Sequence, residues 1–157
     1  MQGIRPCLWF DDRAQEAMEF YLRIFPKSHA DALTRYTDAG PGAPGTVQTV
    51  TFDLAGLPFI GLNGGPIFTF SEAISFAIAC DDQTEVDYYW ERLSDGGETG
   101  VCGWLKDPFG VSWQVVPVAL TRLLADPDAE KVERVTTAML QMTKLVIADL
   151  EAAAAGA

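Results

Sequence analysis

Residues 102–117 read CGWLKDPFGVSWQVVP and indicate two short strands joined by a tight turn. At the centre, residues 107–110 supply an aspartate that accepts backbone hydrogen bonds, a proline that fixes φ, and a glycine, all typical of a chain reversal. The aromatic and β-branched residues on either side favour extended structure. We therefore predict strands over Trp104–Lys106 and Val111–Val116, with Asp107 serving the turn between them.

The order strand, helix, further strands occurs twice in the chain. A shift of 69 residues brings Asp12 onto Asp81 and Glu16 onto Glu85, and it aligns the apolar faces of both helices. Any two capped amphipathic helices would align partly, but the preceding strands align too, which favours a repeat. We predict an α+β fold of two βαβββ modules whose sheets form half-barrels around a small-molecule cavity.

Periodicity predicts the helices of the modules and their caps. Apolar spacing of three to four residues predicts one helix ending at Pro26 and a second ending at Gly96-Gly97. Asp12 is expected to cap the first helix, with Gln15 at the capping-box position, and Asp82 with Glu85 the second. The other strands are predicted over Ile4–Phe10, His29–Tyr36, Thr46–Leu54, Leu57–Asn63, Ile74–Cys80 and Glu98–Val101.

The C-terminal region is predicted to be helical. Asp126-Pro127 supplies a cap and a first-turn proline, and the apolar stripe that follows runs to near Leu150 before an alanine-rich end that should fray. That stripe could pack on its own sheet or on a partner subunit. We predict one domain over 1–157, with module one over about 3–63, module two over about 73–117 and C-terminal helices over 119–152.

Composition excludes several classes of function. The net charge of −11 would repel nucleic acid and anionic membranes, so neither is expected as a partner. No apolar run is long enough to cross a bilayer and no secretory signal is evident, which predicts a cytoplasmic protein. The three cysteines show no CxxC spacing, and His29 is the only histidine, so the usual multi-histidine metal sites cannot form within one chain.

Several stretches resemble the PhnB-like, or 3-demethylubiquinone-9 3-methyltransferase-like, branch of the vicinal-oxygen-chelate (glyoxalase/bleomycin-resistance/dioxygenase) superfamily. The most specific is the stretch from Cys102 to Pro117, and the match covers nearly the whole chain. The other matching residues are Cys7-Leu8-Trp9-Phe10, Glu16–Tyr21, Ser75-Phe76, Cys80-Asp81-Asp82 and the C-terminal Met139, Met142 and Lys144. The resemblance implies paired βαβββ modules and commonly a homodimer.

The resemblance also implies where metal-dependent relatives take their ligands, namely at Pro6, Ser75 and Gln114 of this sequence. Proline has no side-chain donor, serine is a poor ligand, and the amide of Gln114 stands where a metal-binding glutamate would be. We therefore predict no metal and no cofactor. A methyl donor bearing an adenosyl group usually needs a glycine-rich strand-to-helix turn, and the nearest candidate, residues 63–66, precedes no predicted helix.

Strand parity predicts a cavity lining with a few neutral polar groups. Its predicted members are Pro6, Leu8, Phe10, Asn63, Ser75, Ala77, Trp104, Ser112 and Gln114. Such a lining suits a planar or partly apolar organic ligand, although the same residues could be plain core. Paired aspartates at the two helix starts are read as caps rather than catalysts.

Three functions remain open from the sequence. The first is a metal-free homodimer that binds a small organic ligand without chemistry. The second is an enzyme, of the methyltransferase-like type or an isomerase or lyase that uses Gln114. The third is a structural or interaction role for the C-terminal helix.

Overall fold

The computed structural model describes residues 3–156, and the chain forms two compact units that divide between Phe70 and Ser71. The first unit consists of β1 (Cys7–Phe10), α1 (Ala14–Ile24), β2 (His29–Arg35), β3 (Val47–Leu54) and β4 (Leu57–Asn63). The second consists of β5 (Phe76–Cys80), α2 (Gln83–Ser94), β6 (Glu98–Thr99), β7 (Trp104–Lys106), β8 (Ser112–Pro117), α3 (Val118–Leu124), α4 (Ala129–Leu140) and α5 (Ile147–Ala155). Within residues 3–156, every helix is too short or too polar to cross a membrane.

Both units contain a four-stranded sheet with the same topology. The strand orders are β1-β4-β3-β2 and β5-β8-β7-β6, and in each sheet the first strand pairs in parallel with the last. The other pairs are antiparallel. The predicted α+β class, with two βαβββ modules and a helical C-terminus, is confirmed.

The first sheet is covered on one face by α1, which packs against β3 and β4. Phe52 stacks on Phe59 with ring centroids 5.4 Å apart, and both are buried beneath the helix. A side chain at Gly61 would lie 3.3 Å from the Cβ of Ala14 and 2.8 Å from a methyl group of Val50. Glycine at this position therefore allows the close approach of helix and sheet.

The cap of α1 differs from the prediction. The helix begins after Arg13, no side chain from the preceding segment caps it, and the backbone N–H of Ala14 donates instead to Oδ1 of Asn63 at 2.8 Å. The predicted cap at Asp12 is therefore wrong, because an amide at the end of β4 already satisfies this donor. In α2 the prediction is confirmed, since Asp82 accepts from the N–H of Glu85 at 2.9 Å.

The face of β1 also differs from the prediction. Leu8 is 6% exposed and Phe10 is 4% exposed, and they alternate with the more exposed Cys7 and Trp9. Phe10 pairs with Asn63 across β1 and β4, so all three predicted lining residues of this unit lie on the face covered by α1. Strand alternation has period two, so an error of one residue in the repeat alignment exchanges the faces.

The single long C-terminal helix is also corrected. The chain leaves the helix after Leu140 and resumes at Ile147, because the carbonyl oxygens of Met142 and Thr143 accept hydrogen bonds from the N–H groups of Cys102 and Gly103, both at 2.7 Å. The cap of α4 is Asp128, two residues beyond the predicted Asp126.

The three C-terminal helices share an apolar core of their own. Its buried members are Leu120, Leu123, Val135, Leu145, Leu150 and Ala154. The alanine-rich end continues α5 to Ala155, and Arg134 donates to the carbonyl oxygens of Ala153 and Ala154 at 3.1 and 3.0 Å. The alanine-rich end is therefore helical up to Ala155 and does not fray there as predicted.

Candidate functional site

The second sheet has one face packed on α2 and one that α2 does not cover. Trp113 and Val115 of β8 are buried on the helix side, level with Phe76 and Ile78 of β5. Because side chains alternate along a strand, the intervening residues lie on the opposite face. We call it the free face; it consists of Ser75, Ala77, Ala79, Trp104, Lys106, Ser112, Gln114 and, at the end where the C-terminal apolar core packs, Val116.

Four predicted lining residues meet on this free face. In the strand register, Trp104 lies opposite Gln114, and Gln114 lies opposite Ala77. Nε2 of Gln114 donates to Oγ of Ser75 at 2.9 Å. The hydrogen bond fixes the orientation of the amide and leaves Oε1 of Gln114 as an acceptor.

Ser112 is the most unusual polar residue of the free face. It is 2% exposed, and its hydroxyl group has no hydrogen-bond partner among residues 3–156. A buried polar group without a partner is rare, since it has lost its contact with water without replacement. A polar group that reached this buried position would satisfy the hydroxyl of Ser112.

A lysine that sequence reasoning did not select lies beside Ser112. Lys106 is opposite Ser112 in the register of β7 and β8, and its Nζ lies 2.6 Å from Oε1 of Glu72. The hydrogen bond with Lys106 lowers the pKa of Glu72, and the same bond raises the pKa of Lys106. The sequence contained the information needed to find it. Lys106 follows Leu105, so by strand alternation it lies on the same face as Trp104.

The turn before β8 is held by a buried carboxylate. Asp107 is 2% exposed; its Oδ1 accepts from the N–H groups of Phe109 and Val111, and its Oδ2 accepts from Nε1 of Trp113 at 2.8 Å. The predicted turn role of Asp107 is confirmed. These bonds fix the strand pair that carries Trp104 and Gln114.

The first sheet also has a face that its helix does not cover. Trp9 lies there, with Nε1 donating to the carbonyl oxygen of Gly65 at 2.9 Å and its ring 5.0 Å from that of Phe68. Cys7 precedes it on the same face, and burial raises the pKa of this thiol. The predicted lining residues Leu8, Phe10 and Asn63 lie on the other face, so their part in ligand binding stays a prediction.

A groove of about 720 Å³ opens at the N-terminal end of α1. Its lining includes Asp11, Asp12, Gln15, Glu16, Glu19, Tyr36, Gly42, Thr46 and Gly65. Glu16 is paired with Arg13 at 2.6 Å, and Tyr36 donates to the carbonyl oxygen of Asn63 at 2.5 Å. The sequence did not predict this groove, because the loop over residues 36–46 that forms one wall carries no periodic signal.

The residues at the superfamily's metal positions do not fit a divalent ion. Ser75 and Gln114 are neutral and are bonded to each other, whereas Pro6, by strand alternation, shares the α1-covered face with Leu8 and Phe10 and so does not lie at the position equivalent to Ser75. His29 lies on β2, where it is paired with Asp31 at 3.1 Å. Within residues 3–156, no three histidine, cysteine or carboxylate side chains cluster as a metal site would require.

The sheet topology and the free face are those of a glyoxalase/bleomycin-resistance fold. A family model described as 3-demethylubiquinone-9 3-methyltransferase matches residues 2–116. A solved structure from Bacillus cereus, described as a putative 3-demethylubiquinone-9 3-methyltransferase, PhnB protein, is 34% identical, with a TM-score of 0.68 over 74% of this chain and 100% of that one. The chain belongs to this PhnB-like family of the vicinal-oxygen-chelate superfamily.

More distant structures share the fold. Protein PA1353 from Pseudomonas aeruginosa is 18% identical with a TM-score of 0.62, over 74% of this chain and 98% of that one. The fosfomycin resistance protein FosX from Listeria monocytogenes, complexed with Mn(II) and sulfate, is 19% identical with a TM-score of 0.53, over 72% of this chain and 89% of that one. No curated protein matches the chain.

Proposed function

We propose that this chain is a metal-free small-molecule-binding protein that holds an organic ligand on the free face of its second sheet. The observation that carries the proposal is the meeting of Trp104, Ser112 and Gln114 on that face, with the amide of Gln114 held by Ser75. An aromatic ring, a hydroxyl without a partner and an oriented amide form the mixed lining that small-molecule sites have.

We propose no metal because the side chains available on this face are poor metal ligands. Two of the positions that the resemblance implies for metal ligands, Ser75 and Gln114, carry neutral side chains that are bonded to each other. A neutral amide and a hydroxyl bind divalent ions much more weakly than carboxylates and imidazoles do. Binding by polar and aromatic contacts is therefore the use to which this face is best suited.

The proposal includes a homodimer in the cytoplasm, with no nucleic acid or membrane as partner. The resemblance supports the dimer, and the net charge of −11 opposes binding to polyanions. At physiological salt we expect no change in the fluorescence anisotropy of a labelled DNA duplex when the protein is added.

Native mass spectrometry with parallel elemental analysis tests the proposal. We expect the mass of two chains, no stoichiometric divalent ion, and a small organic compound that co-purifies or is taken up from a panel of aromatic compounds. Gln114→Leu should lose the compound. Gln141→Leu, which changes a residue at the end of α4, should retain it and serves as the matched control.

Two results would contradict the proposal. A divalent ion bound once per chain would show that the donor set has been misread. Failure of every compound in the panel to bind the wild-type protein, with nothing co-purifying, would remove the small-molecule function itself.

A further inference from the structure

We propose that the free face selects a flat aromatic carboxylate, whose carboxylate replaces Glu72 on Lys106 and accepts a hydrogen bond from Ser112. The inference rests on the proposed function, because it names the ligand class of the same surface. It draws on three features of the second unit: a hydroxyl without a partner, an exposed ion pair, and a strip of small residues beside an indole.

One polar group at this end of the free face, the hydroxyl of Ser112, has no acceptor. The hydroxyl of Ser112 is buried without a partner, and the residue opposite it in the strand register is Lys106, whose ammonium group can only donate. Nε2 of Gln114, one alternation further along β8, is already used on Ser75. An added oxygen with several lone pairs would satisfy Ser112 and Lys106 together, and a carboxylate is the commonest such group in organic ligands.

Glu72, which now accepts the hydrogen bond from Lys106, can be displaced by a ligand. The side chain of Glu72 is 61% exposed and lies in the irregular segment before β5, whereas that of Lys106 is 31% exposed on a regular strand. Exposed ion pairs contribute little to stability, so an incoming carboxylate meets little resistance. The 2.6 Å contact also shows that Nζ of Lys106 binds a carboxylate supplied from outside the strands.

Glu98 is the second carboxylate near this lysine. It pairs with Lys106 in the register of β6 and β7, and its charge also raises the pKa of Lys106. A lysine side chain is charged at neutral pH with or without a neighbouring carboxylate. When a ligand displaces Glu72, Lys106 still carries the positive charge that binds the ligand's carboxylate.

The rest of the free face suits a flat ring. Ala77 and Ala79 are exposed and project only methyl groups, so the surface along β5 is low. Trp104 lies two strands away, opposite Gln114, and supplies an aromatic side chain next to a ring that lies over this strip. Aromatic rings gain from offset or edge contacts of this kind beyond the area that they bury.

Isothermal titration calorimetry with 2-naphthoate and its neutral analogue 2-naphthamide tests the inference on the full chain. We expect the wild-type protein to bind the naphthoate about tenfold more tightly at low salt, since charge-assisted hydrogen bonds are the stronger kind. Glu72→Gln should tighten naphthoate binding about threefold, because it frees Lys106, and should leave naphthamide binding unchanged. Lys106→Met should abolish the preference, and Ser112→Ala should reduce it.

The chain offers a matched control pair. Lys131 and Asp126 form an ion pair of the same 2.6 Å length, with a lysine side chain 29% exposed, away from the free face. Lys131→Met and Asp126→Asn should leave both affinities unchanged. Lys106→Arg keeps the charge and should retain the preference, which separates a loss of anion recognition from a loss of folding.

Equal affinities for naphthoate and naphthamide would overturn the inference and leave the proposed function standing. Tightening of both compounds by Glu72→Gln would also overturn it, because Glu72 would then act only as a steric cover. If neither compound binds, the inference fails, and the proposed function fails with it only if the mass-spectrometric panel finds no other ligand.

Discussion

Asn63 connects the end of β4 to the start of α1 through its side-chain amide. Oδ1 accepts from the N–H of Ala14 at 2.8 Å, and Nδ2 donates to the carbonyl oxygen of Val47 at 3.1 Å. The residue is 8% exposed, so loss of the amide would leave both partners in a nearly dry environment. A helix N-terminus has unsatisfied N–H groups, and here one of them is satisfied from a neighbouring strand instead of the preceding residues.

We expect Asn63→Ala to lower the free energy of unfolding by about 2 kcal/mol, because it removes a cap and leaves a buried donor and acceptor unpaired. Asp12→Ala is the matched control, since Asp12 is the residue that local sequence rules would choose as the cap. Its removal should change stability by less than about 0.5 kcal/mol. Urea denaturation of the two variants measures both values, and a larger loss in Asp12→Ala would reverse the assignment of the cap.

At the level of helices and strands, the segment between α4 and α5 attaches the C-terminal helices to the second sheet. Nε2 of Gln83 donates to the carbonyl oxygen of Leu145 at 3.2 Å, and its Oε1 accepts from the N–H of Ile147 at 2.9 Å. Lys144 pairs with Asp87 at 2.6 Å, which lowers the pKa of that aspartate. The family model ends at residue 116, so this attachment lies largely outside it.

One turn, at Cys102 and Gly103, connects the segment between α4 and α5 to the free face. Cys102 and Gly103 have φ values of 57° and 81°, and their N–H groups donate to residues 142 and 143. A side chain at Gly103 would lie 2.7 Å from a backbone oxygen, so only glycine fits. Because Trp104 follows directly, the C-terminal segment helps to position the aromatic residue of the free face.

We expect Gln83→Ala to loosen this attachment, because the side chain of Gln83 makes two hydrogen bonds, one to Leu145 and one to Ile147. Amide hydrogen exchange at Cys102 and Gly103 should accelerate while exchange in β3 and β4 stays unchanged. Gln15→Ala is the control, since among residues 3–156 the side chain of Gln15 bonds only to Glu19 on its own helix. Unchanged exchange in Gln83→Ala would mean that the apolar core of the helices holds the segment without Gln83.

Most elements could be predicted from local pattern, and the errors have a common physical origin. The helices align at a shift of 69 residues, as in Ala17 with Val86, but the buried strand ends Phe10 and Cys80 are 70 apart. The link from strand to helix is one residue shorter in the second module. Since a strand alternates with period two, that difference placed Leu8 and Phe10 on the wrong face in the prediction, whereas the helices, which align at 69, were unaffected.

The candidate site was only partly predictable for a related reason. Ser75, Trp104, Ser112 and Gln114 share a face by strand alternation, which a single sequence reveals once the strand limits are right. The Lys106–Glu72 pair joins a strand to an irregular segment more than 30 residues away in sequence, and no local rule gives that contact. The break after Leu140 is likewise imposed by long-range hydrogen bonds that override helical periodicity.

For the whole molecule, the charge imbalance is the feature that affects stability beyond any one contact. The chain carries 22 acidic and 11 basic residues, which gives a net charge of −11. Like charges repel more in the compact state than in the extended chain, so the folded form is destabilised by this excess. Local ion pairs oppose the effect, but those of the chain are largely exposed and individually weak.

Sodium chloride should therefore stabilise the protein. Between about 10 and 300 mM salt the screening length falls from roughly 30 Å to below 10 Å, which removes long-range repulsion while ion pairs at 3–4 Å lose less. We expect the thermal midpoint to rise by a few degrees over this range. Asp12→Asn, which removes one charge from an exposed residue beside the acidic groove, should raise the midpoint at low salt and reduce the salt effect. A midpoint that falls with salt would show that the exposed ion pairs outweigh the net repulsion.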